Sequence, residues 1–404
     1  MGQRPPLTPD FYHYPEASIA TVEISINKDA LAVSWSDGTQ LSCYYLWLQE
    51  NDVSNGRVDH ATREGLIDPA DLDVELTLSS ASVDPLGHLL VIWNNADTSR
   101  FHSGWLRHIA EGQHQPAAFL PQPSAWTATR LPAPPSHSVD HLFTSYENTA
   151  AWTLDLLKYG VTKLTDAPTA SGYLKHLAAQ IGPVRDSNFG ALWDVKSEPA
   201  FAGKNDTNST ANTSHRLGPH TDLPTRETPP GFQFLHCLCN EAEGGFSTLC
   251  DSLAIIDHLA QAAPDLLEAL TTLQWIFFNR GPALDHRWSG PIIDYTPGSI
   301  IPTIRAFYPV KAFPNMDDND IPRAYEALRH FQTLAADPRF QIRFQLEAGD
   351  ILCFDNRRIL HGRDAFNQAQ TRHLQGIYID RDEIYSLARV TQRRATATLI
   401  NTRN

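Results

Sequence analysis

Residues 351–363 read Ile351-Leu352-Cys353-Phe354-Asp355-Asn356-Arg357-Arg358-Ile359-Leu360-His361-Gly362-Arg363. Two apolar runs flank a polar break. Gly349-Asp350 marks a turn, Ile351 to Phe354 has the length and character of a strand, and Asp355-Asn356 interrupts it. Ile359-Leu360 resumes the strand, and His361 stands at its mouth, where a rigid element can hold a metal ligand. Working upstream, His220-Thr221-Asp222 lies 139 residues before His361 when counted from Asp222. A His-x-Asp pair alone is weak, because 17 histidines and 46 acids make such pairs by chance. With one distant histidine it becomes the set that caps one face of an octahedral Fe(II) and leaves the other face open. Downstream, Thr371 to Asp380 alternates as a strand does and begins with Arg372. Pairing of that strand with the His361 strand would aim Arg372 into the same cavity. A guanidinium there is a natural fork for the far carboxylate of a dicarboxylic cosubstrate.

Together these residues resemble the Fe(II)/2-oxoglutarate dioxygenases of the taurine-dioxygenase-like group, and within it the γ-butyrobetaine dioxygenase family. The resemblance is carried by His220-Thr221-Asp222-Leu223-Pro224-Thr225-Arg226-Glu227, by Pro230 to Cys237, by Gly244 to Thr248 and by Asp355 to Arg363. It spans nearly the whole chain. It implies that His220, Asp222 and His361 bind Fe(II), that Arg372 binds the 2-oxoglutarate tail, and that O₂ is the second cosubstrate, with ascorbate as a stimulant. Ser247 stands where the group often places a hydroxyl on the same cosubstrate. Arg363 either orients a carboxylate or forms a structural ion pair. The implied fold is mainly β with flanking helices: a double-stranded β-helix, or jelly roll, over residues 111–404, preceded by a small β-rich domain over 1–110.

At 404 residues the chain is long for one core, which agrees with two domains. A net charge of −14 argues against nucleic acid or an anionic membrane as partner. No run of 18 or more apolar residues is present, and the first residues lack the apolar core of a secretory signal. Five cysteines without an evident framework suit a reducing cytoplasm. The partner expected is a small molecule, and the resemblance adds a homodimer.

The pattern along the chain supports this division. Residues 20–26 and 30–35 alternate as strands around turns, and 89–93 is another strand. A proline-rich stretch from Pro116 to Pro135 reads as a crossover. Residues 146–160 and 173–181 read as helices, with a strand over 161–164 between them. Apolar runs at 232–239, 273–278, 340–346 and 351–354 have strand length, while 254–263 and 321–335 suit surface helices. The family's first domain usually carries zinc on three cysteines and a histidine. Here the matching loop, residues 46–57, has no cysteine, Asp97 replaces the histidine, and Cys43 is the only cysteine of the domain. The chain is therefore expected to lack that zinc.

A substrate pocket is also implied. Asn188-Phe189-Gly190-Ala191-Leu192-Trp193-Asp194 resembles the segment that gives two walls of an aromatic cage for a quaternary ammonium, and Tyr378 matches a third. A plainer reading stays open, since Phe189 and Trp193 at i, i+4 suit core packing. Two departures concern the substrate's anion. Asn212 replaces a cage tyrosine eight residues before His220, and Ser209 and Tyr308 replace the asparagines that hold a carboxylate. Asn205 to Ser214 is rich in amides and hydroxyls, either a solvated loop or a donor-rich cover for a phosphonate. That favours 2-(trimethylammonio)ethylphosphonate over γ-butyrobetaine, whose hydroxylation gives carnitine. His236-Cys237-Leu238-Cys239 lies in an apolar pattern and reads as buried core, and Arg305 and Lys311 suit solvated surface. Asp355 and Asn356 are expected to brace the metal strand. Two other classes remain: a zinc hydrolase on the same ligands, and a non-catalytic betaine-binding protein on the same fold.

Overall fold

The structure, a computed structural model, describes residues 8–25, 29–197, 211, 213–279, 283–306, 310, 312–367 and 370–401. It divides into two compact units, Met1–Ala118 and Phe119–Asn404. In the first, β1 (Thr21–Ile24), β2 (Ala30–Ser34) and β3 (Gln40–Tyr44) form one antiparallel sheet. A second comprises β4 (Leu78–Val83), β5 (Leu89–Trp93) and β6 (Thr98–Phe101). Alternating apolar positions of both sheets, among them Leu31, Val33, Leu89, Val91 and Trp93, close over one core with Trp105 and Leu106 of the helix Ser103–Ala110.

The second unit is a jelly roll. One sheet has six strands, in the order β7 (Ser136–Ser138), β8 (Val161–Thr165), β19 (Ile351–Asp355), β11 (Phe232–Asn240), β21 (Arg372–Ile379) and β9 (Trp193–Ser197). The facing sheet has four, in the order β10 (Leu217–His220), β20 (Ile359–Arg363), β12 (Ser247–Asp251) and β18 (Gln341–Phe344). Outside these, β13 (Trp275–Phe278) pairs with β14 (Arg287–Gly290) and β17 (Ala312–Pro314), and β15 (Ile293–Asp294) with β16 (Thr303–Ile304).

Burial explains the patterns. Every residue of β19 is buried, because the sheet is covered on both faces, and its sequence is accordingly apolar from Ile351 to Phe354. Its outer face meets the helices Tyr146–Tyr159 and Arg381–Asn401 through Trp152, Leu156, Ile384 and Ala388. The first of these helices is closed at both ends: Ser145 caps the amide of Asn148, and Gly160 takes the left-handed conformation at φ 74°. The inner face meets the small sheet through Leu249, Leu352, Phe354, Ile359 and Leu374. Each such side chain contributes roughly 1.5–3 kcal/mol on burial.

The expected strand over 371–380 is present, but its partner differs. β21 pairs with β11 and β9, not with the His361 strand β20, which lies between β10 and β12. The cause is the turn at Asn356–Arg358, which carries the chain from one sheet to the other. Two buried ion pairs brace that turn. Arg358 donates to both oxygens of Asp251 at 2.9 and 2.7 Å, and Arg381 forks onto Asp355 at 3.0 and 3.1 Å. Removing one partner of such a pair costs about 3–5 kcal/mol.

Candidate metal centre and active-site cavity

His220 ends β10 and His361 sits on β20, in direct register with each other across the small sheet. Gly362 permits this closeness: a Cβ there would meet the Leu217 carbonyl at 2.7 Å. Asp222 follows in a turn whose backbone is clamped by Asn356. The Asn356 Oδ1 accepts from the Asp222 amide at 2.6 Å, and its Nδ2 donates to the Asp222 and Pro230 carbonyls at 3.1 and 3.3 Å. The ligand atoms of His220, Asp222 and His361 all lie within 4.8 Å of one another, the one such group among the described residues.

Orientation is set by the surrounding groups. His220 Nδ1 is 2.9 Å from the Gly218 carbonyl, which leaves its Nε2 lone pair free for a cation. His220 Nε2 and His361 Nε2 face Asp222 Oδ1 at 3.5 and 3.7 Å. The other oxygen, Oδ2, accepts from the Tyr378 hydroxyl at 2.7 Å. Burial works to raise the Asp222 pKa, but His361, His220 and Tyr378 outweigh it and hold the carboxyl below its ordinary range. Burial, then the His220 ring, pushes His361 down to about 3, so it stays neutral. Two imidazoles and one carboxylate are the donor set that suits Fe(II).

Beside the triad lies a cavity of about 150 Å³. Arg372, Ser247 and Arg363 line one part of it. Thus Arg372 reaches the same cavity as His361 although its strand belongs to the opposite sheet. Its Nε is buried without a partner. Burial pushes its pKa down to about 10; burial and then Arg372 push that of Arg363 down to about 9. Two buried guanidiniums that oppose one another make a receptor for an anion. Arg363 is partly committed: its terminal nitrogens donate to the carbonyls of Ala211, Thr213 and His215 at 2.8, 2.5 and 2.9 Å. It braces that loop and forms no ion pair among the described residues. The free fork is Arg372.

Phe189, Trp193 and Tyr378 line another part. Phe189 to Trp193 is 6.5 Å and Trp193 to Tyr378 is 5.4 Å between ring centres. Core packing does not describe Phe189, which is 41% exposed in a turn; Trp193 is half-buried at the start of β9, and Tyr378 is buried. The Trp193 ring lies over Gly376, where a Cβ would come within 2.2 Å of it. Asp194, unassigned by the sequence, also lines the cavity. His373 Nε2 and Gln375 Nε2 reach its Oδ1 at 2.6 and 3.0 Å. Desolvation works to raise its pKa, but these bonds keep it below the usual carboxylate range.

The remaining expectations fare unequally. Ser209, Asn212, Tyr308 and Lys311 lie outside the described residues. Arg305 is not on the surface. It is 1% exposed and donates to the carbonyls of Pro224, Arg226 and Glu227, tying down the chain that follows Asp222. His236 and Cys237 are fully buried. The bracing expected of Asn356 is present, with the Asp222 backbone as its partner; the role of the Tyr378 hydroxyl depends on strand register, which no local pattern discloses.

The family described as "Taurine catabolism dioxygenase TauD, TfdA family" matches residues 131–378. The γ-butyrobetaine dioxygenase of Pseudomonas sp. (strain AK-1) is 37% identical over 370 residues, 90% of this chain and 94% of that protein. The γ-butyrobetaine dioxygenase of Homo sapiens is 26% identical over 387 residues, 90% of this chain and 95% of its own length. The mitochondrial trimethyllysine dioxygenase of Mus musculus is 27% identical over 380 residues, 90% and 86%. Likeness of this extent and degree settles the relationship: the chain belongs to the TauD/TfdA family and is a non-haem Fe(II), 2-oxoglutarate-dependent dioxygenase.

Proposed function

We propose that the protein hydroxylates a small zwitterion bearing a trimethylammonium group. One observation carries this reading: three aromatic rings follow one another along the cavity wall that contains Tyr378, whose hydroxyl touches the metal-binding carboxylate. Aromatic faces attract a quaternary ammonium by roughly 0.5–2 kcal/mol each, more where water is excluded. Asp194 adds a fixed negative charge on the same wall, which favours a cation over a neutral isostere.

In this reading His220, Asp222 and His361 hold Fe(II), which with 2-oxoglutarate and O₂ supplies the oxidising power of the reaction. Arg372 takes the distal carboxylate of 2-oxoglutarate, and Ser247 stands by as a hydroxyl partner. Phe189, Trp193 and Tyr378 fix the substrate's cationic end, so the carbon presented to the metal is chosen by the distance from that anchor. Leu217, Leu235 and Leu374 line the space between and exclude water. The polar stretch Asn205 to Ser214 supports a phosphonate at the anionic end, 2-(trimethylammonio)ethylphosphonate. The relative of 37% identity supports the carboxylate γ-butyrobetaine as the second reading. A homodimer, from the resemblance alone, and a reducing compartment, supported by five cysteines that are all free, complete the proposal. Among the described residues no helix is long and apolar enough to cross a membrane.

The test is turnover. Protein loaded anaerobically with Fe(II) and 2-oxoglutarate is exposed to O₂ with trimethylammonium carboxylates and phosphonates, and succinate release is followed. Acceleration by one quaternary amine is expected, and its removal by Trp193→Ala. No acceleration by any such amine would overturn the reading.

A further inference from the structure

Gln233 lies near the middle of the six-stranded sheet, on β11, opposite Phe354 of β19 on one side and Tyr378 of β21 on the other. It is 2% exposed and lines the cavity. Directly opposed residues project to the same face with Cβ atoms about 5 Å apart. The carboxamide therefore stands between two rings that both touch metal ligands. Phe354 is 4.8 Å from the His361 ring, and the Tyr378 hydroxyl donates to Asp222. Yet Gln233 Oε1 is buried with no hydrogen-bond partner. Its strand neighbours offer an aromatic ring on one side and a hydroxyl already engaged on the other.

Burying an amide pole without a partner is unfavourable, whereas leucine or methionine would fill this position at no such cost. A group of this kind beside a reaction centre is paired when a ligand arrives. We propose that Gln233 is a ligand-orienting residue: its carboxamide hydrogen-bonds an oxygen-bearing group of a small molecule held beside the triad. A half-turn of the carboxamide exchanges its two poles at the buried position, so that Oε1 there accepts from a hydroxyl and Nε2 there donates to a carboxylate oxygen. Two sources carry that chemistry, the metal-side carboxylate of 2-oxoglutarate and an oxygen of the substrate. The inference rests on this cavity being the reaction site, and not on the substrate being a quaternary amine.

Gln233→Leu and Gln233→Met test it. Thermal unfolding of the metal-free protein is measured together with anaerobic calorimetry of the Fe(II) protein. The probes are 2-oxoglutarate, then γ-butyrobetaine and 2-(trimethylammonio)ethylphosphonate. The expected result is a Tm equal to wild type or up to about 3 °C above it, with roughly tenfold weaker binding of one small molecule. Weakened 2-oxoglutarate identifies the cosubstrate carboxylate as the partner; unchanged 2-oxoglutarate with a weakened quaternary amine identifies the substrate. A Tm lowered by more than about 3 °C in both variants would mark a structural residue and overturn the proposal. So would affinities all within twofold of wild type. Wild-type protein that fails to bind 2-oxoglutarate would overturn the assignment of the cavity, and this proposal with it.

Discussion

Asp52 in the first unit and Asp222 in the second are both carboxylates set into protein, but their surroundings are opposite in kind. Asp52 is 3% exposed and is met by donors. Its Oδ1 accepts from the amides of Ser54 and Asn55 at 3.0 and 3.3 Å; its Oδ2 accepts from Asn55 Nδ2 at 2.6 Å and from the Ser99 hydroxyl. Trp93 Nε1 in turn donates to Ser99 at 2.6 Å. This network closes the cysteine-free loop over residues 46–57. Asp222 receives one hydroxyl, while its other oxygen faces two imidazole nitrogens. A carboxylate ringed by donors is finished as a structural element. One that converges with lone pairs is incomplete until a cation arrives.

The largest expected effect separates the two outright. Asp222→Ala abolishes turnover and reduces bound Fe(II) or Mn(II) from one per chain to none, while the metal-free protein keeps its Tm within about 3 °C. Full metal binding by that variant would erase the distinction. Asp52→Ala does the reverse. It strands the Ser54 and Asn55 amides and the Ser99 hydroxyl, so the first unit loses about 2–4 kcal/mol in denaturant unfolding, while metal content and kcat stay at wild-type values. In the same preparations, purified without chelator, the expectation is no zinc. One tightly held zinc per chain would show that donors alone do not close that loop.

Acid sharpens the comparison next. Burial pushes His361 to about 3 and His236, whose two ring nitrogens have no partner, to about 4. Both are therefore held neutral in the fold, below their ordinary pKa near 6.5. Their contribution is complete above pH 6.5 and is lost as pH falls towards those values. Between pH 6.5 and 5 this amounts to about 2 kcal/mol for each histidine in the metal-free protein. His236→Leu should flatten part of that slope; an unchanged slope would show that His236 is not held neutral. A comparable effect concerns the hydroxyl on Asp222. Tyr378→Phe removes it and should weaken metal binding about 10- to 100-fold with the ring preserved. Equal affinity would show that Oδ2 needs no donor.

The sequence discloses unequal amounts of these two regions. Strands such as Ile351–Asp355 and Phe232–Asn240 are legible because burial on both faces writes a mostly apolar run, which in the second is broken by Gln233 and His236. His220, Asp222, His361 and Arg372 are legible because their residue types and spacing are specific to one chemistry. What stays hidden is set by register between distant strands. The polar side chain of Gln233 and the gap at Gly376 filled by Trp193 each need a partner far along the chain; Asn356 is legible as a brace, but its partner Asp222 is not. Arg305 misleads for a related reason: an arginine satisfied by three backbone carbonyls looks, in sequence, like one satisfied by water. Arg372 reaches the cavity from the sheet opposite the one its spacing suggests, because a jelly roll brings two sheets over one interior.

A crystal structure of the protein with Mn(II) and 2-oxoglutarate bears most directly on the central claim. One ion should appear bound by His220 Nε2, Asp222 Oδ1 and His361 Nε2, with the distal carboxylate of 2-oxoglutarate on the Arg372 guanidinium. An ion bound elsewhere, or a cosubstrate turned away from Arg372, would contradict it.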